Sequence, residues 1–313
     1  MNYIGIDIGG TAVKLAVVSS EGKILAKSAI KTRGPRNVDE VIDDIAEAVK
    51  ELATDYEYES IGVGCPGSID SRKGLVEYSP NLYWKNVPLA QMLSERMGKK
   101  VKVSNDANVA ALGEHKFGAG KDYTDTALIT LGTGVGGGFV VDGKLFEGFN
   151  SKGTEIGHTI LRENGFQCTC GRKGCFETYA SATALIRETR YAMQKDIDKN
   201  SLMWDLCGHD LMKVDGKTAF TAFKKGDVLA RAVVEKYVKS LSEGVLDVVN
   251  LFRSQAVILG GGICGAGEIL TEPVQRRVDK YRYGGPDSLR TVILIAKLGN
   301  DAGVIGAASL VME

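Results

Sequence analysis

Apolar residues recur along the chain in two rhythms. YIGIDIGGTAVKLAVV (3–18) is two apolar runs on either side of a Gly-Gly pair, the pattern of two strands joined by a tight hairpin. A third strand at 24–27 follows the turn SSEGK. The rhythm then changes. Val38, Val41, Ile42, Ile45, Val49 and Leu52 fall at helical spacing and predict an amphipathic helix over 38–53. SIGVGCPGSID brings back a strand, ended by a Pro-Gly turn. A short helix near 88–97 follows, then a strand VKVS at 101–104 and a helix opening at Asn105 or Asp106.

The first design then returns. ALITLGTGVGGGFVVDGKL (127–145) is again an apolar strand, a glycine-threonine turn, a second strand and a turn ending in Gly-Lys. Aligning the turns sets Gly9 against Gly132 and Val17-Val18 against Val140-Val141. Two such hairpins opening two halves of one chain imply a duplicated domain with a ligand held between the halves. Further on, the pattern predicts a helix near 180–196, an irregular stretch at 197–226 and a long helix at 228–252. A buried strand then runs into a triple-glycine turn at 260–262, followed by a strand TVILIAK and a small-residue C-terminal helix. Alternating strands and helices make the fold class α/β.

Composition narrows the function. The chain has 313 residues, enough for two domains. Lysine plus arginine equals aspartate plus glutamate at 39 each, so no net field draws nucleic acid or an anionic membrane, and neither is expected as a partner. No stretch approaches the ~20 apolar residues that span a bilayer. The opening MNYIGIDIGG lacks the basic and apolar regions of a signal peptide. Six cysteines, three of them clustered, are no disulfide framework. A cytoplasmic enzyme is the expectation.

Three glycine-rich turns carry candidate chemistry: Gly9-Gly10-Thr11, the run holding Gly132, Thr133, Gly134 and Gly136, and the turn with Gly261 and Gly262. Any one alone could be only a tight turn. Together they favour a nucleotide, with backbone N–H groups of the first two gripping phosphates and the third packing on the nucleoside. Neither GxGxxG before a helix nor GxxxxGK[ST] is present, so these are not Rossmann or P-loop fingerprints. Asp7, just before the first turn, is placed to face a phosphate-bound Mg²⁺.

A second cluster lies at 158–175. Cys168, Cys170 and Cys175 read C-x-C-x₄-C, and His158 stands ten residues upstream. In a chain with three histidines and six cysteines, chance is a poor account of four such residues within 18. Three thiolates and an imidazole suit tetrahedral Zn²⁺, and four protein ligands leave no open position, so the ion is a structural clip. Asp106, read from its own stretch, is no more than a helix cap shared with Asn105.

These residues also carry a family resemblance. GIDIGGTAVKLAVV with LGTGVGGGFV resembles the two phosphate motifs of the sugar kinase, heat-shock ATPase and actin superfamily. SNDANVAALGE, GTEIGH, CTCGRKGCFETYAS and the C-terminal GNDAGVIGAA resemble one branch, the ROK family, and YSPNLYWKNVPL is most like its glucokinases. The resemblance runs from Gly5 to the C-terminal helix. It implies a two-lobed actin-like (ribonuclease H-like) fold around a central cleft. One lobe would take 1–115, completed by the helix at 298–313, and the larger would take 116–297 with the zinc knuckle.

The activity implied is ATP- and Mg²⁺-dependent phosphorylation of a hexose, glucose to glucose 6-phosphate, by a homodimer or homotetramer. Asp106 would be the base, and Asn105, Glu155, His158 and Glu177 would bind the sugar. The loop with Gly67, Ser68 and Asn81 would decide whether an N-acetyl group is tolerated at the 2-position. N-acetylmannosamine, N-acetylglucosamine, allose or fructose is therefore the alternative substrate. The sequence departs from the family at Ala12, where many relatives carry lysine; Lys14 projects on the same face of an extended strand.

Three other classes fit less well. Sugar-responsive repressors of the same family carry a helix-turn-helix ahead of a motif that here begins at Gly5. A nucleic-acid-binding knuckle would need more than Arg172 and Lys173 in a neutral chain. An actin-like assembly protein has no use for the sugar-binding set.

Overall fold

β1 (Asn2–Ile8) and β2 (Ala12–Ser19) form the expected hairpin, antiparallel from Asn2↔Ser19 to Ile8↔Val13. The computed structural model describes residues 1–32, 36–285 and 288–312. β3 (Ile24–Lys31) pairs with β2 and runs past the expected end at Lys27, because as an edge strand it can continue with its side chains largely in water. α1 (Val38–Leu52) is capped by the Asn37 side chain, which accepts the Asp39 N–H, and buries Val41, Ile42, Ile45 and Val49. β4 (Ser60–Cys65) is buried along its whole length and lies parallel to β1.

A small antiparallel sheet of β5 (Ser68–Asp70), β6 (Leu75–Ser79) and β7 (Trp84–Val87) comes next. The hydrophobic pattern gave no sign of it, since strands of three to five residues are too short to show a period. α2 (Leu89–Met97) stops at Gly98, whose φ of 62° is left-handed. β8 (Lys100–Asn105) pairs parallel with β4 and leads directly into α3 (Asp106–Phe117).

The second hairpin is β9 (Thr126–Leu131) with β10 (Val135–Val141), extended by β11 (Lys144–Phe146). Helices follow: α4 (Glu177–Ala180), α5 (Ala182–Lys195), α6 (Leu202–Leu206), α7 (Thr218–Lys224) and the long α8 (Val228–Phe252). The stretch expected to be irregular at 197–226 thus holds two short helices. α6 is started by the Ser201 side chain accepting the Met203 N–H. β12 (Ala256–Gly260), α9 (Glu268–Tyr281), β13 (Val292–Ile295) and α10 (Ala302–Ser309) close the chain. The first sheet has the order β3-β2-β1-β4-β8 and the second β11-β10-β9-β12-β13, so each lists its own strands third, second, first, fourth, fifth. That shared order is the duplication read from the two hairpins. The fold is α/β.

The chain divides into two compact units: 1–128, 137–154 and 297–313 form one, 129–136 and 155–296 the other. In the first unit, α10 lies so close to the sheet and to α3 that only glycine fits. A Cβ on Gly5 would sit 1.9 Å from the Val304 carbonyl oxygen, one on Gly62 would sit 1.7 Å from that of Ala307, and one on Gly306 would sit 1.6 Å from that of Val109. α3 is then tied to its surroundings by three successive side chains, two of which hold the returning chain. Glu114 is fully buried, and its carboxylate accepts the N–H groups of Ala119, Lys297 and Leu298 at 2.7–3.0 Å. His115 Nδ1 meets Thr126 Oγ1 at 3.1 Å, and Lys116 donates to the carbonyls of Ser309 and Met312.

Glu114→Ala would strand three backbone donors where water reaches poorly, and should lower stability by on the order of 3 kcal/mol. Urea unfolding followed by circular dichroism would read it; an unchanged midpoint would show that the carboxylate is dispensable.

Candidate active site and metal centre

In the first unit the parallel strands β1, β4 and β8 finish side by side. The register aligns Asp7 with Gly64, Gly64 with Ser104, and Cys65 with Asn105. The carboxyl ends of parallel strands are where open α/β sheets present ligand-binding groups. Asn105 caps α3: its Oδ1 accepts the N–H groups of Ala107 and Asn108 at 2.9 and 3.3 Å, while its Nδ2 donates to the Gly67 carbonyl at 3.3 Å. The cap is therefore Asn105. That leaves Asp106 as the first helical residue, exposed, with Oδ1 2.9 Å from the Ala107 N–H. A carboxylate at a helix N-terminus is stabilised by the helix dipole. Gly67 needs its lack of a side chain: its φ is +112°, and a Cβ would fall 2.3 Å from the Tyr78 carbonyl. Cys65 is buried between two acids; burial pushes its thiol up, and the negative charges of Asp106 and Asp7 add to that.

The first glycine turn sits on the same edge. Gly9 N–H donates to Ala12 O at 2.9 Å, and Thr32 Oγ1 donates to Gly9 O at 2.7 Å. Asn81 packs beside Gly10, where an added Cβ would lie 3.5 Å from the Asn81 Cβ. Asp7 stands opposite Lys14 in the hairpin register, with Lys14 Nζ 3.5 Å from its carboxylate. Burial raises the Asp7 carboxyl above its ordinary value, and Lys14 pulls it partly back.

The second unit brings the other glycine turns together. Gly261, with φ +96°, lies against β9 so closely that a Cβ would be 2.4 Å from Leu131 O, next in sequence to Gly132. Within the second turn, Gly132 N–H donates to Gly134 O at 3.0 Å and Gly136 N–H to Thr130 Oγ1 at 3.2 Å. Thr133 O accepts from Thr183 Oγ1 at 2.8 Å. Glu177, the first residue of α4, reaches the same turn: its Oε2 accepts the Val135 N–H at 3.1 Å and fills the space where a Cβ on Gly134 would be. Beyond Gly262 a recess of about 130 Å³ is lined by Gly262, Ile263, Gly265, Lys217, Phe220 and Lys224. The last three, on and just before α7, carried no sequence signal, since a lysine or phenylalanine in a helix reads as surface or core.

The cysteine-histidine cluster is also within this unit. Glu155 directly precedes a single 3₁₀ turn, Ile156–His158, and its carbonyl accepts the His158 N–H at 3.1 Å. One ligand atom from each of His158, Cys168, Cys170 and Cys175 lies within 4.8 Å of all the others. His158 Nδ1 is 3.7 Å from Cys168 Sγ, and Cys170 Sγ is 3.6 Å from Cys175 Sγ. With metal–sulfur bonds near 2.3 Å and metal–nitrogen bonds near 2.0–2.1 Å, the edges of a tetrahedron are about 3.6–3.8 Å, so the donors are spaced to hold an ion. The Arg172 backbone N–H lowers the Cys170 thiol, while burial raises that of Cys175 to about 12. A bound divalent cation would override that difference and hold all three as thiolates. Gly157 ties the centre to the second turn, since a Cβ there would be 2.1 Å from Val135 O. Among the described residues no helix is long and apolar enough to cross a membrane.

The family model described as "ROK family" matches residues 3–313. A glucokinase of Thermotoga maritima is 41% identical over all of this chain and 98% of its own length. A glucokinase of Streptomyces coelicolor is 34% identical, with 99% of this chain and 97% of that one aligned. Among solved structures, a ROK family glucokinase from Streptomyces griseus in complex with glucose and AMPPNP superposes with a TM-score of 0.83 at 34% identity, covering 99% of both chains.

The donor set predicts one tightly held divalent ion per chain. Metal analysis of protein folded in zinc-containing medium should find it, and Cys170→Ser should lose it. Metal-free wild type after such treatment would count against the centre.

Proposed function

The chain belongs to the ROK family, and from that premise we propose that it transfers the γ-phosphoryl group of ATP to glucose, yielding glucose 6-phosphate. The observation that carries this reading is Asp106: an exposed carboxylate at the head of a capped helix, on the carboxyl edge of three parallel strands, in a chain whose relatives are glucokinases along their whole length.

Phosphoryl transfer passes through a loose transition state, so positioning and the late removal of a proton matter more than base strength. In our assignment Asp106 accepts the proton of the attacking sugar hydroxyl. Asn105 and the Gly67 backbone, already bonded to each other, shape the floor beneath the sugar. Glu155, His158 and Glu177 hold its other hydroxyls. With Nδ1 turned to the metal centre, His158 has Nε2 left for the sugar.

For the nucleotide, we assign phosphate contacts to the N–H groups of Gly10, Thr11, Thr133 and Gly134. Those of Gly9, Gly132 and Gly136 are engaged within their own turns. Gly132 and Gly136 would then serve by leaving room. The nucleoside would rest on Gly261 and Gly262, in the recess with Phe220 and the two lysines. Asp7 is the candidate to face Mg²⁺, which when bound neutralises phosphate charge. Lys14 provides a cation beside it and stands where a lysine at position 12 is absent. His158, Cys168, Cys170 and Cys175 would hold Zn²⁺, whose four protein ligands give it a structural role.

A panel of glucose, mannose, fructose, allose, N-acetylglucosamine and N-acetylmannosamine with ATP and Mg²⁺ should give the highest kcat/KM for glucose. A preference for an N-acetylated sugar would keep the mechanism and change the substrate. Asp106→Asn should lower kcat by about 10²–10⁴-fold while calorimetric glucose binding survives. Wild-type-like turnover in that variant sinks the assignment of the base.

A further inference from the structure

Outside the residues assigned above, one carboxylate is held by the hydroxyl groups of two separate segments, one of which is linked in turn to a third serine. Glu147 follows β11 directly. Its Oε1 accepts from Ser104 Oγ at 2.5 Å, and its Oε2 accepts from Ser71 Oγ at 2.6 Å. Ser71 Oγ is also 2.7 Å from Ser151 Oγ. A hydroxyl has one proton to give. Since Ser71 gives its proton to the carboxylate, Ser151 must donate to Ser71, so two protons meet Glu147 directly and the third supports it through Ser71. Hydrogen bonds to an ionised acceptor are about twice as strong as neutral ones, and chained donors reinforce each other.

The segments so tied are those around the proposed sugar site. Ser104 is fully buried on β8 and directly precedes Asn105 and Asp106. Ser71 is in the turn after β5, four residues from Gly67. Ser151 lies in the loop that opens at Glu147, is closed by the Gly153 N–H on Glu147 O at 2.8 Å, and leads to Glu155. A second tie runs parallel to the first: Lys152 forms an ion pair with Glu77, and Glu77 accepts from Ser68 Oγ at 3.4 Å. Glu147 therefore touches none of the reacting groups but stands behind the strand end that carries Asn105 and Asp106.

We propose that Glu147 is a positioning residue: through Ser104, Ser71 and Ser151 it locks the end of β8, the turn after β5 and the 147–154 loop into one arrangement, and so sets where Asp106 meets the sugar. The proposal rests on the kinase reading, and its test separates the two.

Glu147→Ala should lower kcat for glucose about tenfold or more and raise the glucose KM, with the ATP KM within about twofold of wild type and the circular dichroism unchanged. Ser104→Ala should move the same constants in the same direction. The double variant should be little worse than Glu147→Ala alone, because residues sharing one network do not act additively. Glu147→Gln can accept from one serine but not both, and should recover only part of the loss. Amide hydrogen exchange gives a readout independent of turnover: residues 104–108 and 147–154 should exchange faster in Glu147→Ala. If that variant fails to fold, Ser71→Ala applies the same tests more gently. Native exchange together with native kinetics in the variants overturns the proposal. Faster exchange in a protein whose wild type phosphorylates no sugar overturns the kinase reading and leaves the clamp standing as architecture.

Discussion

A buried carboxylate surrounded by backbone donors, that of Glu114, ties the last stretch of the first unit to its middle. A charge without water is tolerated only where hydrogen bonds replace its hydration, and here three N–H groups do so. Two of them belong to residues 297 and 298, the lead-in to α10. α10 can then press on β1, β4 and α3 because glycine stands at each point of closest approach. The result is a helix, α3, gripped at its C-terminal end and along its side, with its N-terminus the remaining place to present chemistry.

That rigidity explains the division of labour between neighbouring residues. Asn105 spends its oxygen on the cap and its nitrogen on Gly67, so it is a fixed part of the frame. Asp106, one residue on, is exposed at the helix end. The same economy operates in the second unit. Glu177 has one oxygen on the Val135 N–H and the other 3.6 Å from Cys168 Sγ, which connects the second glycine turn to the cysteine-histidine cluster through a single side chain. Glu177 Oε2 occupies the place a Cβ on Gly134 would take, and the Val135 carbonyl occupies that of one on Gly157.

What could be read from the sequence follows from how strongly each feature marks it. The hairpins were legible because apolar runs around glycine pairs have few alternative folds, and their repetition implied a duplicated domain; the strand order that the two sheets share was not itself readable. The metal cluster was legible because cysteine and histidine are scarce in this chain. β5, β6 and β7 were not, being too short and too polar to show a period. Glu114 and Glu147 were illegible for a different reason: a glutamate that anchors a fold is spelled like one that faces water, and only the donors around it tell them apart. Asp106 fell between the two. Its own stretch supported only a cap, and the structure gives the cap to Asn105.

The split of the first unit along the chain has a consequence during synthesis. Residues 297–313 complete that unit, yet they follow a span, 129–296, that belongs mostly to the other unit (129–136 and 155–296) and only in its short segment 137–154 to the first. At a translation rate of about 5–20 residues per second, residues 129–296 take roughly 10–30 s to emerge. Throughout that interval the glycine-lined faces of β1, β4 and α3 wait without their helix, and the Glu114 carboxylate without two of its donors. The first unit therefore cannot be complete until the end of the chain has been made, and the order of synthesis makes its last helix the latch.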